Sequence, residues 1–282
     1  MHDIVHDFAQ YLTRKEFAAI EVDGDENPLS LTSTCQEKLR HLTLTLGLRA
    51  KFPVSLFDAK KLRSLILFYD AEDQSAASPV LQGLFDQLTC LRALKIEDLG
   101  LGGKTIEIPK GLENLIHLRY LQLSAVKELP ETCYCPILER LPQGVGKLIN
   151  LRHLIFDADC LAYVPNGFER LTSLRTLSGF TLARVGGKYS SKACNLEGLR
   201  NLNHLRRFLQ IRGLGNVTDA DEAKNAHLEK KKNLVHLILD FEDEDEDEEE
   251  DEDEDDENEA KQEAICEALR APPNIETLEI TG

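Results

Sequence analysis

Leucine recurs in this chain at a three-then-two spacing, and that recurrence leaves few folds open. The phrase Leu-x-x-Leu-x-Leu occurs as Leu39/Leu42/Leu44, Leu62/Leu65/Leu67, Leu91/Leu94/Ile96, Leu118/Leu121/Leu123 and Leu151/Leu154/Phe156. Degenerate copies follow at Leu174/Leu177, Leu209/Ile211, Leu234/Leu237/Leu239 and Ile275/Leu278/Ile280. Successive copies stand 23, 29, 27, 33, 23, 32, 28 and 41 residues apart, counted between their middle residues. Alternate residues of a strand face opposite sides. The two leucines of x-Leu-x-Leu-x therefore point inward together while the x positions point outward. One copy cannot bury its leucines alone, so the copies must stack and share a core. An ordinary leucine-rich helical domain would not hold the leucines at this spacing while the x positions vary.

Repeats with this phrase and a period of about 20–29 residues are leucine-rich repeats. Spacings at and above that range predict an irregular solenoid of the α/β class, with short parallel strands on its concave face. Ile108-Pro109, Leu129-Pro130, Leu141-Pro142 and Val164-Pro165 each precede the next copy. Proline has no backbone donor, so it ends pairing and starts the segment on the convex side. Two such prolines but no complete strand phrase lie between Leu123 and Leu151. The spacing therefore predicts a half-repeat defect over 124–140.

The ends read differently. Asp3 can cap a helix over residues 3–19 that carries Ile4, Val5, Phe8, Ala9 and Leu12 on one side. Glu21 to Pro28 is a polar break. The expected organisation is a helical segment over 1–20, a linker over 21–38 and a repeat domain over 39–282. Near the far end, 258–270 reads as a helix stopped by Pro272-Pro273. The last strand phrase follows at once and no polar cap comes after it, so the repeat array is expected to continue past Gly282.

Charge is distributed unevenly. The formal net charge is −17, and residues 242–257 are sixteen consecutive carboxylates. Without them, 33 basic residues face 34 acidic ones. Such a run repels itself and has no apolar area to bury, which predicts a disordered acidic insertion over 242–257. A near-neutral remainder makes nucleic acid a poor partner. No apolar run reaches membrane-spanning length, and the first residues lack the basic head and apolar stretch of a secretory signal. A cytoplasmic protein is expected, with no membrane insertion and with its seven scattered cysteines mostly reduced and buried.

No catalytic constellation emerges, and a binding protein rather than an enzyme is expected. Gly100-Leu101-Gly102-Gly103-Lys104-Thr105 imitates a phosphate-binding loop, but Asp98 stands where that loop needs its first glycine. His2 and His6 are four apart at a helix start without the glutamate of a zinc-protease pattern. Cys133 and Cys135 have no partners at zinc spacing, and the acidic run lacks the glycine and alternation of a calcium loop. No metal is expected.

Met1-His2-Asp3, followed by Ile4-Val5-His6-Asp7-Phe8-Ala9-Gln10, resembles the Met-His-Asp motif of plant nucleotide-binding leucine-rich-repeat disease-resistance proteins. Further similarity lies in the stretch from Leu141-Pro142-Gln143-Gly144-Val145-Gly146 to Leu151-Arg152-His153-Leu154. It continues in Gly213-Leu214-Gly215-Asn216-Val217-Thr218-Asp219-Ala220 and in Ala223-Lys224-Asn225-Ala226-His227-Leu228. The combination is most similar to the coiled-coil class and covers the chain apart from the acidic run. The resemblance implies that 1–20 is the end of a winged-helix, nucleotide-switch subdomain. It also implies that His2 contacts the phosphate of bound ADP, with Asp3 supporting the switch. The phosphate-binding loop, the acidic strand of the nucleotide site and the N-terminal signalling domain of the family have no counterpart in this chain. For the chain alone no cofactor is expected, and ADP or ATP belongs to the full-length family.

The resemblance implies a role in plant defence. The repeats would sense a pathogen effector or a guarded host protein and restrain the nucleotide switch in full-length relatives. The outward strand positions are the expected partner-binding residues: His41, Thr43 and Thr45; Ser64, Ile66 and Phe68; Lys95 and Glu97; Tyr120 and Gln122; and His153, Ile155 and Asp157. Their mixed chemistry, with Ile66, Phe68, Tyr120 and Ile155 outward by pattern, suits a protein interface. An alternative reading takes the acidic run as the active part, in a leucine-rich-repeat binder of basic proteins such as histones.

Overall fold

Most strands form where the leucine phrase falls, because there alternating apolar residues line one side of the backbone. The computed structural model describes residues 16–22, 38–47, 59–69, 77–98, 108, 110–125, 140–156, 161–241 and 252–282. The chain divides into two units, Met1–Leu138 and Glu139–Gly282.

Among the described residues of the first unit, five parallel strands follow one another in sequence order. They are β1 (Phe17–Val22), β2 (His41–Leu46), β3 (Ser64–Tyr69), β4 (Ala93–Asp98) and β5 (Tyr120–Ala125). The register never slips from β1 to β5. Leu42, Leu65, Leu94 and Leu121 make one row, and Leu44, Leu67, Ile96 and Leu123 make the next. All eight are at most 4% exposed. Each such side chain contributes about 1.5–3 kcal/mol by leaving water. The connections carry α1 (Ala77–Gln87), which buries Leu81, Leu84 and Phe85 at helical spacing, and a 3-10 turn at Lys110–Asn114 that buries Leu112. The backbone N–H of Gly111 donates to Gln82 Oε1 at 3.3 Å, which ties that turn to α1.

The first strand corrects the sequence reading twice. Residues 17–19 were expected in a helix and 21–22 in a linker, yet Phe17–Val22 pairs along its whole length with β2. Ala18 lies opposite Leu42 and Ile20 opposite Leu44, and Val22 is 3% exposed. Alanine stands where the phrase has leucine, so the strand escapes a search for leucine spacing. Among the described residues the sheet therefore begins at Phe17 and not at residue 39. The expected helix over residues 3–15 and the core of the expected half-repeat, residues 126–139, lie outside the described residues.

The second unit has shorter and less even strands. β6 (His153–Phe156) pairs in parallel with β7 (Thr176–Leu177). After Ser178-Gly179 the chain re-enters a sheet as β8 (Phe180–Thr181), which pairs with β9 (Arg206–Arg212). β10 (Asn233–Asp240) and β11 (Thr277–Thr281) follow, all parallel. β10 pairs β9 with a bulge between Leu234 and His236, beside Arg207 at φ 65°. Five 3-10 turns, at Gln143–Lys147, Phe168–Arg170, Leu196–Leu199, Leu214–Asn216 and Leu228–Lys230, connect these strands together with α2 (Ala220–Asn225) and α3 (Glu252–Leu269). The proline reading fits at Pro142, which is extended and directly precedes the first of these turns, but not at Pro165, which lies in an antiparallel bridge with Ala193.

Polar fixings hold the second unit together. Lys231 is fully buried, and its Nζ donates to the carbonyl of Leu199 at 2.7 Å, closing the end of a 3-10 turn. The carboxylate of Glu222 accepts from the Leu196 N–H at 2.8 Å, at the start of that same turn. Gly146 meets the backbone of Gly167 so closely that a Cβ there would stand 2.6 Å from the Gly167 oxygen.

Helix α3 is a further correction. The helix expected over 258–270 begins at Glu252, so Glu252 to Glu257, read as part of a disordered run, are helical. Carboxylates in a first turn complement the helix dipole, and Ile265 and Leu269 anchor the other end at 2% exposure each. Residues 242–251 lie outside the described residues. The cysteine expectation changes too: of the three described cysteines Cys194 is buried, Cys266 half-buried and Cys90 exposed, all free thiols.

Candidate functional site: the outward strand rows

The strict register of the first unit converts the x positions of separate repeats into continuous rows. His41, Ser64, Ala93 and Tyr120 form the first row, and Thr43, Ile66, Lys95 and Gln122 the second. Thr45, Phe68 and Glu97 form a third. Ten of the expected partner-binding residues are thus brought onto one face of β2–β5. His153 and Ile155 lie on β6 in the second unit, and Asp157 lies outside the described residues. His2 and Asp3 also lie outside them.

Contacts across and along the strands organise this face. His41 Nδ1 and Ser64 Oγ share a hydrogen bond of 2.7 Å. Tyr120 donates its hydroxyl proton to Gln122 Oε1 at 2.5 Å. Lys95 pairs with Glu97 two residues along β4, and its ammonium also stands 5.2 Å from the centre of the Phe68 ring. The attraction between cation and ring face, together with the carboxylate, holds a flexible side chain in one place. Ile66, Phe68 and Tyr120 are half-buried rather than open, because side chains in adjacent rows cover their flanks. The face is therefore pre-ordered, and less side-chain entropy remains to be lost on binding.

The outward face of β9–β11 was not in the sequence reading. Phe208 packs edge-on against His236, with ring centres 5.3 Å apart, and His236 Nε2 meets Glu279 Oε1 at 2.9 Å. Farther along the same strands Arg212 Nε donates to Asp240 Oδ2 at 3.2 Å. The signal was present. Phe208, Gln210, His236 and Ile238 flank the inward residues of the degenerate phrases Leu209/Ile211 and Leu234/Leu237/Leu239. On β6, His153 Nδ1 meets Thr176 Oγ1 at 3.0 Å. Burial lowers the His153 pKa, with the Arg175 and Arg152 guanidiniums adding to the effect, so the neutral ring is favoured. Cys194 is unsuited to nucleophilic chemistry: burial, and then the neighbouring Glu169 carboxylate, push its pKa to about 12.

Comparison with known proteins agrees with the leucine-rich-repeat fold. Residues 196–282 match the family described as R13L1/DRL21 LRRs. A putative disease resistance protein of Arabidopsis thaliana is 32% identical over 267 residues, 85% of this chain and 17% of its own length. The probable disease resistance protein RXW24L of the same plant is 30% identical over 54% of this chain and 17% of its own length. Its disease resistance RPP13-like protein 4 is 27% identical over 64% of this chain and 18% of its own. The chain thus spans less than a fifth of these relatives' length. Among solved structures, the Arabidopsis receptor kinase HAESA, in complex with the peptide hormone IDA and the co-receptor SERK1, aligns with a TM-score of 0.46. It shows 13% identity, over 78% of this chain and 38% of that one. A Leptospira interrogans LRR protein aligns with a TM-score of 0.32 and 15% identity, over 89% of this chain and 69% of that one. None of the described helices is long and apolar enough to cross a membrane. The chain is a leucine-rich-repeat region homologous to plant disease resistance proteins, and its fold is that of a protein-interaction module.

Proposed function

We propose that this chain is the recognition surface of an intracellular plant defence receptor, and that the outward rows of β2–β5 take a protein ligand. That ligand is a pathogen effector or a host protein the receptor guards. The supporting observation is the in-register face itself. Aromatic, aliphatic, hydroxyl and paired charged groups stand there side by side on a stacked sheet, and Phe68 and Tyr120 provide the broad contact area on which interfaces rely. The same reading gives the repeats a restraining role when a nucleotide-binding domain adjoins them. His2 and Asp3 would then hold ADP; the chain alone is assigned no cofactor.

Site-specific photo-crosslinking in leaf cells tests this. A crosslinker at position 68 or 122 should trap a partner that one at Ile116, a half-exposed residue in the turn after the 3-10 segment, does not. Phe68→Ala with Tyr120→Ala should weaken that partner's binding by at least about tenfold, as loss of a central aromatic contact does. Unchanged affinity would remove the face from the site.

A further inference from the structure

A second surface lies at the edge where the strands of the first unit begin. Arginine follows the first leucine of the phrase in Leu39-Arg40, Leu62-Arg63, Leu91-Arg92 and Leu118-Arg119. The pattern continues in the second unit at Leu151-Arg152, Leu174-Arg175 and Leu205-Arg206. In the first unit the backbone locks these arginines into a column. The N–H of Arg63 donates to the Arg40 carbonyl at 2.7 Å, that of Arg92 to Arg63 at 2.7 Å and that of Arg119 to Arg92 at 2.8 Å. Neighbouring members are thus held about 4.8 Å apart, the spacing of adjacent strands.

The residues on the other side of the buried leucines complete a cleft. Arg40, Lys61, Arg63, Cys90, Arg92 and His117 surround a volume of about 260 Å³, with no carboxylate among them. Lys61, Arg63 and Arg92 are exposed, and among the described residues no ion pair engages any of the three. Arg40 Nη1 donates to the Leu39 carbonyl at 3.1 Å. Like charges held side by side repel. Among the described residues none of the carboxylates lines this cleft; Glu16, whose carbonyl accepts from the Arg40 N–H at 2.7 Å, stands beyond Arg40 at the end of the column.

We infer that this cleft binds a compact anion carrying several phosphate groups. Guanidiniums present forked donors that match phosphate oxygens two at a time, and a phosphate bound between adjacent members of the column would relieve their mutual repulsion. The cations converge on one concave volume instead of spreading along a flat face. That favours phosphates clustered on a small scaffold, free or as a lipid headgroup, over an extended acidic peptide. This site lies at the strand-entry edge and is separate from the outward rows proposed to take a protein.

Calorimetric titration of the full 282-residue chain with inositol hexakisphosphate at low ionic strength tests the site. A saturable one-to-one isotherm is expected, weakening as salt rises. Arg63→Gln with Arg92→Gln should lose at least about tenfold in affinity with an unchanged circular dichroism spectrum. Arg63→Lys with Arg92→Lys should bind at an intermediate level, because charge remains while the fork is lost. Arg200→Gln with Lys224→Gln, exposed positions of the second unit, should bind as the unaltered chain does. Vesicles containing phosphatidylinositol 4,5-bisphosphate distinguish the sources. Capture that is lost in the Gln variant identifies a headgroup, whereas binding of the free probe alone identifies a soluble ligand. The inference is overturned if the probe does not bind, if the Gln variant binds equally well, or if a polyglutamate peptide binds more tightly than the probe.

Discussion

The two units solve the same burial problem with different means. The five strands of the first are each six residues long and pair without slippage, so matched apolar rows supply its order. The second has strands of four, two, two, seven, eight and five residues, a bulge and a strand broken at Ser178-Gly179. Its order leans on single polar or steric devices: Lys231 on Leu199, Glu222 on Leu196, and Gly146 against Gly167. Regular repeats distribute stability over many equivalent contacts. Irregular ones concentrate it in contacts that have no duplicate.

Three measurements probe that contrast. The largest effect is expected in the first unit from Leu94→Ala. Leu94 is fully buried at the centre of its row, and the change should cost about 3–5 kcal/mol in denaturant unfolding. A cost below about 1 kcal/mol would mean that the row repacks freely. Next comes Lys231, whose pKa burial lowers to about 8. The unfolded chain, with the ordinary value of 10.5, then holds the extra proton between these two values. The penalty for the buried charge is fully present below about pH 8. Stability should therefore rise as pH climbs from about 8 toward 10.5, by at most about 1.4 kcal/mol per pH unit. Lys231→Met should flatten that rise, and a rise that persists would assign it to other groups. The smallest of the three effects belongs to Gly146→Ala. Backbone rather than a flexible side chain blocks the new methyl, so a loss of about 1–3 kcal/mol is expected in thermal unfolding. An unchanged melting temperature would show that the two turns slide apart at little cost.

The regular part was also the legible part. Leu42, Leu65, Leu94 and Leu121 announce their row because a parallel register repeats the same residue type at the same step. Once the inward residues are known, alternation places Phe68 and Tyr120 outward. Legibility failed wherever the residue type changed but the geometry did not. Alanine at position 18 hid β1, and the degenerate phrases hid Phe208 and His236 as outward neighbours. It failed again for Glu252–Glu257. A carboxylate run reads as repulsive and extended in isolation, whereas Ile265 and Leu269 on the same helix anchor it to a core that local composition does not contain.

Taken by itself, the leucine spacing determined that the chain stacks repeats, which residues face inward, and that the remaining strand positions form a surface. These are consequences of periodicity, and periodicity is a local property. Tertiary structure alone decided where the sheet begins, how Ser178-Gly179 divides one repeat between two strand pairs, and that Lys231 closes a turn thirty-two residues away. It also gathered Arg40, Lys61, Arg63 and Arg92 around one cleft. Residues 23 to 29 positions apart become neighbours only when register stacks their strands, and register is set by pairing across the whole sheet.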